Sequence, residues 1–416
     1  MFLTTHKTIF TVFAILIAAI VMPGVFAKTP LINSPATAGQ LLITEFRLRG
    51  PGGANDEFIE IYNNSGTDHT VVDSGLGGGY AIAGSNGVAR CIIPNDTVIP
   101  NGGYFLCTNS LAYSLAANTS GNATYTTDIP DNAGIALFNT SVAANFTLTT
   151  RVDAVGSTSE TNTLYKEGAG YPAITPFSID YSFVRDECGK GGSISTLGPC
   201  PSGGAYVDTN NNATDFFFVD TNGTSAGAGQ RLGAPGPQNL KSPMNRNAQF
   251  ALMSLDTTVA ANSAPNRVRD FTSDPVNNST FGTLSFRHRV VNNTGGPVTR
   301  LRFRIIDLST FPAPSGIADL RARTSSLLTV SGINDPATCL AANGVPTTPC
   351  TVNVQGTTLE QPPSQSNGGG FNSTLSVGTI TLLTPLASGA SVNVSFLYGI
   401  QQTGNFNRAL TIEALP

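Results

Sequence analysis

Apolar residues along this chain come in short clusters, and turn-forming residues separate one cluster from the next. The second half alternates most cleanly. Val392, Val394, Phe396 and Tyr398 fall on one side of an extended segment, and Ser391, Asn393 and Ser395 on the other. Leu301, Phe303 and Ile305 alternate in the same way with Arg300, Arg302 and Arg304. In the first half, shorter clusters recur at 41–46, 58–62, 91–94, 104–107, 135–138, 181–184 and 216–219. Successive side chains of a strand point to opposite faces, so a period of two marks a strand with one buried face. No long stretch repeats its apolar residues at helical spacing, and no internal repeat is visible. The pattern predicts an all-β fold of two antiparallel, immunoglobulin-like sandwiches. A break is expected at 233–243, GAPGPQNLKSP, where three prolines deny strand and helix hydrogen bonds alike. The first sandwich then spans 38–238 and the second 247–416, with a linker over 239–246 and a short N-terminal linker over 28–37.

Composition agrees with sheets. Charged residues are only 12%, with 44 Gly and 26 Pro to supply turns. Charge divides unevenly at the break. Residues 28–239 hold 9 Lys+Arg against 18 Asp+Glu, and residues 240–416 hold 12 against 8, so the halves carry −9 and +4. An acidic half can dock on a basic one, or each can meet a partner of opposite sign.

The first 27 residues have the layout of a secretory signal: Lys7, an apolar run over 9–22, then Val25-Phe26-Ala27 with small residues at the −3 and −1 positions. No transmembrane span is expected after its cleavage, and no C-terminal membrane anchor. Six cysteines suit an oxidising compartment. They fall as three sequence-local couples, Cys91/Cys107, Cys188/Cys200 and Cys339/Cys350. Six cysteines allow 15 connectivities, and pairing of neighbours is the reading adopted because each couple flanks a turn-rich stretch. The absence of CxxC and the presence of only His69 and His288 beyond the leader argue against zinc.

Several segments of the first half, in order, form a recognisable series: LITEF at 42–46, GANDEFIEIYN at 53–63, VIPNGGYFL at 98–106, GIALFN at 134–139, VDAVG at 152–156, SFVR at 182–185, DTNNNATDF at 208–216 and LGAPGP at 232–237. This series resembles the lamin-tail domain of exported bacterial proteins. The resemblance implies an immunoglobulin-like sandwich used as an attachment module, with no catalytic residue. Stretches at 112–128 and 188–204 exceed a compact version of that fold.

Candidate chemistry is sparse. GTSAG at 223–227 has the form of a nucleophile elbow around Ser225, but the Gly- and Pro-rich residues after it do not form the helix that motif requires. His288, the one downstream partner for such a serine, shares an apolar strand face with Leu284, Phe286 and Val290, where packing is its expected role. His69 sits in a polar turn. Glu57 and Glu60 fall on opposite faces of one strand and so make a poor acid/base pair. Asp208, Asn210, Asn212 and Asp215 have the spacing of oxygen ligands for calcium, the one candidate cofactor, though Asn and Asp are also ordinary turn formers. Arg287 and Arg289 lie on the polar face of one predicted strand, and Arg300, Arg302 and Arg304 on that of the next. Residues 292–297, NNTGGP, are a plausible hairpin loop between them, and pairing would put five guanidinium groups on one exposed face. Like charges across strands destabilise a sheet. Either Asp307, Asp319 or the acidic half offsets them, or the face takes an anionic polymer such as an acidic polysaccharide. The expected function is therefore extracellular attachment to a protein or anionic polymer, without catalysis or nucleotide cofactor. The alternatives are a structural matrix or envelope component, or a hydrolase using Ser225 or a calcium-bound water.

Overall fold

A computed structural model describes residues 34–174, 177–187, 206–223 and 231–416. The expected signal segment, Cys188, Cys200 and Ser225 lie outside the described residues.

The fold is all-β and sandwich-like. In the first half, a seven-stranded sheet runs in the order Arg231–Leu232, Phe216–Asp220, Tyr181–Arg185, Leu41–Arg47, Phe58–Asn63, Tyr104–Asn109, Ala123–Tyr125. Opposite it lies a four-stranded sheet of Arg151–Val155, Ile135–Phe138, Gly79–Gly84 and Ala89–Pro94. Ile43, Ile59 and Phe105 from one sheet share a core with Ile82, Ile93 and Leu137 from the other. The disulfide Cys91–Cys107 ties the two sheets through that core. Every apolar cluster read from the first half coincides with a strand, and most of these strands are buried on both faces, as short continuous apolar runs bounded by turns imply.

The second half repeats the plan with different connections. Met244–Asn245, Arg408–Leu415, Arg300–Leu308, Thr374–Ser376 and Thr358–Leu359 form one sheet. Phe250–Ser254, Thr283–Asn292, Ser391–Gln402, Cys350–Gly356 and Leu328–Ile333 form the other, with Arg267–Asp270 added to the second of these strands and Asp319–Arg323 to the third. Phe303 packs edge-on to Phe396 across the two sheets at 4.7 Å. Met244–Asn245 pairs with the Arg408–Leu415 strand, so the end of the expected linker belongs to this sheet. One helix, Pro336–Asn343, was not anticipated. Asp335 caps it by accepting hydrogen bonds from the backbone N–H groups of Ala337 and Thr338, and Gly344 ends it in the left-handed region. The disulfide Cys339–Cys350 pins that helix to the adjacent strand.

The predicted hairpin between Thr283–Asn292 and Arg300–Leu308 is not formed. The first pairs with Ser391–Gln402 and the second with Arg408–Leu415, so residues 293–299 carry the chain from one sheet to the other. Arg302 and Arg304 do project opposite to Leu301 and Phe303, as alternation requires. Their face is covered rather than exposed: Arg302 keeps 7% and Arg304 4% of its accessible surface. The cover is the first half of the chain together with the proline-rich stretch. Phe371 exchanges backbone hydrogen bonds with Leu232 and Ala234, and its ring meets Phe217 edge-on. Arg304 Nε donates to Glu413 Oε1 at 2.6 Å, and its other nitrogens donate to Asn372, to Gln238 and to the Gly236 carbonyl. Arg302 pairs with both Glu413 and Glu360.

Glu413 therefore holds two buried guanidinium groups. Burial by itself raises its pKa, and Arg302 and Arg304 outweigh that and hold it below the ordinary carboxylate value. Replacing Glu413 with Gln leaves Arg304 buried without its carboxylate and Arg302 with Glu360 alone, and stability is expected to fall by about 3–5 kcal/mol. Urea unfolding monitored by tyrosine fluorescence checks this, and an unchanged midpoint refutes it.

Candidate functional site

The Thr283–Asn292 strand sets out the relevant side chains by simple alternation. Leu284, Phe286 and Val290 point into the core of the second sandwich, leaving Ser285, Arg287 and Arg289 on the outer face. On the neighbouring strand, Arg287 lies opposite Ser395 and Arg289 opposite Asn393. On the other side, Arg289 lies opposite Met253, and its Nη2 approaches that sulfur at 3.7 Å. Arg287 Nη1 makes a long contact of 3.4 Å with the Pro265 carbonyl. The Nε atom of each is shielded from solvent and has no hydrogen-bond partner. Neither arginine forms an ion pair among the described residues. Burial lowers the pKa of Arg287, with no carboxylate close enough to oppose it.

The five arginines read as one cluster thus divide. Arg300, Arg302 and Arg304 find Glu360 and Glu413, on a different sheet from Arg287 and Arg289. Asp319, one of the offsetting groups expected within this half, pairs instead with Arg321.

His288 faces inward, its ring tilted against that of Phe396 with centroids 5.9 Å apart. Its Nδ1 lies 3.2 Å from the Met253 carbonyl and its Nε2 2.9 Å from Arg408 Nη2. A guanidinium only donates, so Nε2 accepts and Nδ1 carries the proton. Burial, with Arg408 adding to it, pushes the pKa of His288 down to about 4. It is a packed, neutral histidine. His69 is buried rather than in an open turn, with Nε2 at 3.1 Å from the Tyr80 hydroxyl, and burial lowers its pKa.

The four suggested calcium ligands do not converge on one point. Asn212 Oδ1 accepts from the backbone N–H groups of Gly156 and Glu167, and its Nδ2 donates to the Ala154 carbonyl. Asp215 ends a short helix, Asn212–Asp215, and accepts from the Thr209 N–H and hydroxyl. Asn210 takes a left-handed turn conformation, and Asp208 Oδ1 accepts from its N–H. What does converge is Asp153, Glu167 and Asp208, whose carboxylates each bring an oxygen within 4.8 Å of the others. Arg185 already supplies a cation there: it is fully buried, pairs with Asp153 at 2.7 Å and reaches Asp208 and Asp215. Neither Arg185 nor Asp153 figured in the calcium reading. A strand arginine reaches the loop acids only through the fold, a relation local spacing does not carry.

Glu57 and Glu60 point to separate environments. Glu57 accepts from Asn109 Nδ2 and the Ile129 N–H, both at 2.8 Å, while Glu60 accepts from Thr44 and the Gln238 N–H. Burial pushes Glu57 up to about 8, Asp128 adding to it. Burial and then the charge of Glu45 push Glu60 up to about 8.

Two outcomes follow. Between pH 4.5, the ordinary value, and about 8, Glu57 and Glu60 keep protons in the folded chain that the unfolded chain has released. The folded state binds more protons in that window, so stability falls as pH rises through it. Glu60→Gln is expected to flatten the decline, and equal slopes for variant and parent in urea titrations at several pH values would count against it. Arg185→Gln leaves Asp153 and Asp215 buried without their cation, and a loss of about 3–5 kcal/mol is expected in the same assay.

No helix among the described residues is long and apolar enough to cross a membrane. No family model, curated protein or solved structure matches this chain.

Proposed function

We propose that this chain is an exported, non-catalytic attachment protein whose first half is a lamin-tail-like module and whose second half grips an anionic polymer. One observation carries the reading: Arg287 and Arg289, side by side on an outer sheet face, are the members of the predicted basic cluster left without a carboxylate. Flanking Ser395 and Asn393 supply polar, uncharged neighbours. A guanidinium with a partly desolvated Nε gains more from an incoming sulfate, phosphate or carboxylate than a fully hydrated one does. A regular run of such groups along a polymer also rewards binding by releasing counterions. The two disulfides among the described residues fit an oxidising, extracellular setting.

Replacing Arg287 and Arg289 together with Ser should advance elution from a heparin column and lower the salt dependence of binding by about two ion contacts. Arg300→Ser serves as the control, because that side chain is already paired with Glu360 and should leave retention unaltered. Identical elution of the double variant and the parent would discard the reading.

A further inference from the structure

The inner face of the same strand leads to a second place. The strands of its sheet and the loop that follows Ser391–Gln402 line a pocket of about 210 Å³, with Leu284, Leu320, Ile400 and Phe406 as its apolar wall. Two arginines, Arg267 and Arg269, complete the lining. They stand on the Arg267–Asp270 strand opposite Phe286 and Leu284, and cross-strand neighbours share a face, so both project towards the interior.

The two are held differently. Arg269 is fixed, donating to the Asp270, Phe281 and Thr283 carbonyls with its guanidinium over the Phe271 ring. Arg267 is not. Its guanidinium lies 5.9 Å from the centre of the Phe406 ring and makes no side-chain hydrogen bond or ion pair among the described residues. Phe406 meets Phe286 edge-on at 5.7 Å, and the far side of Phe286 carries Arg408 at 3.8 Å. Arg408 also forms no ion pair among the described residues; its Nη2 donates to His288 Nε2. Two cationic groups, Arg267 and Arg408, therefore gather around one aromatic pair with no ion-paired acid among the described residues. Apolar surroundings make an uncompensated charge costly, and an anion entering there gains correspondingly.

We propose that this pocket binds a small carboxylate with an apolar body, the carboxylate on Arg267 and the body against Leu284, Leu320 and Ile400. The planar fork of a guanidinium matches a carboxylate in shape and number of hydrogen bonds. The apolar wall favours an organic acid over an inorganic anion, which would bury surface there without gain. Size narrows the class. A cavity of about 150 Å³ takes benzene, whereas drug-sized ligands fill about 300–1,000 Å³, so the body is one ring or a short acyl chain. The carboxylate belongs to a free small acid rather than to the end of a peptide, since the cavity has room for little more than one side chain.

Methyl-labelled protein titrated with 3-phenylpropionate tests this. Saturable shifts of the Leu284, Leu320 and Ile400 methyl resonances are expected. Binding should weaken about tenfold or more for 3-phenylpropionamide, which keeps the body and loses the charge. Arg267→Gln should weaken the acid to the same degree. Thr403→Trp, a change at an exposed position of the rim that leaves the core untouched, should abolish the shifts. Absence of shifts in the millimolar range overturns the proposal, as does equal binding of acid and amide. So does a pentapeptide ending in Phe that binds more tightly than the free acid, because the source is then a chain terminus.

Discussion

The structure depends on the burial of Arg304 between its own sheet and the first half of the chain. A guanidinium taken out of water needs each of its donors used and its charge matched, or the burial costs several kcal/mol. Here Glu413, Asn372, Gln238 and the Gly236 carbonyl meet it from three separated segments. Gln238 is the clearest case of shared duty, because its amide oxygen accepts from Arg304 while its backbone N–H donates to Glu60. Asn372 does the same on the other side, accepting from Arg304 and donating to Glu45. Groups that must point at one guanidinium and at two carboxylates admit few arrangements. The seam thereby selects one placement of Asn33–Pro416 as a single compact unit.

Acid exceeds base in that seam, and this explains its protonation. Glu45, Glu60, Glu187, Glu360 and Glu413 face Arg300, Arg302 and Arg304 or lie close to them. The carboxylates nearest the guanidiniums, Glu360 and Glu413, are held ionised below their ordinary value despite burial. Those behind them are not: burial, with Glu413 adding to it, raises Glu187 to about 8, as happens to Glu60. Protons take the place of further cations. The same distribution leaves the rest of the second half short of acid. Asp319 and Asp274 are taken by Arg321 and Arg323, and Asp256 and Asp335 by loop N–H groups and hydroxyls. Arg267, Arg287, Arg289 and Arg408 belong to the cations that form no ion pair among the described residues, and both proposed binding places are built on them.

Much of the fold was legible because alternation measures burial directly. Leu301, Phe303 and Ile305 fall on a core face as their alternation predicts, while the strands at 41–46 and 58–62, buried on both faces, are legible instead as compact apolar clusters. Alternation does not say what covers the other face. Arg302 and Arg304 look like solvated residues to any local reading, since their cover arrives from residues 236–238, far away in sequence. The mistaken hairpin has the same origin. A Gly-Gly-Pro loop between two strands serves a hairpin or a crossing between sheets equally well, and the choice rests on which partner buries more. The helix was a different kind of miss. Asp335, Pro336 and Gly344 are ordinary start and stop signals, but eight residues give too little periodicity to stand out.

The Thr283–Asn292 strand shows why function on this scaffold escapes sequence reading while remaining physically ordered. Its outer arginines could be placed on a common face from their spacing alone. Its inner pocket could not, because Arg267, Leu320, Ile400 and Phe406 come from four segments that only the strand pairing of one sheet and its adjoining loop bring together. Both faces are nevertheless fixed by one constraint. The strand is locked by nine paired positions to Ser391–Gln402, with Phe286 opposite Phe396. Phe396 in turn packs on Phe303, whose neighbours Arg302 and Arg304 enter the seam. A slip of one residue in that strand would turn Arg287 and Arg289 into the core and expel Phe286, so register and ligand chemistry cannot vary independently. The charge balance of the seam therefore governs which cations remain available elsewhere, and the β-register governs where they face.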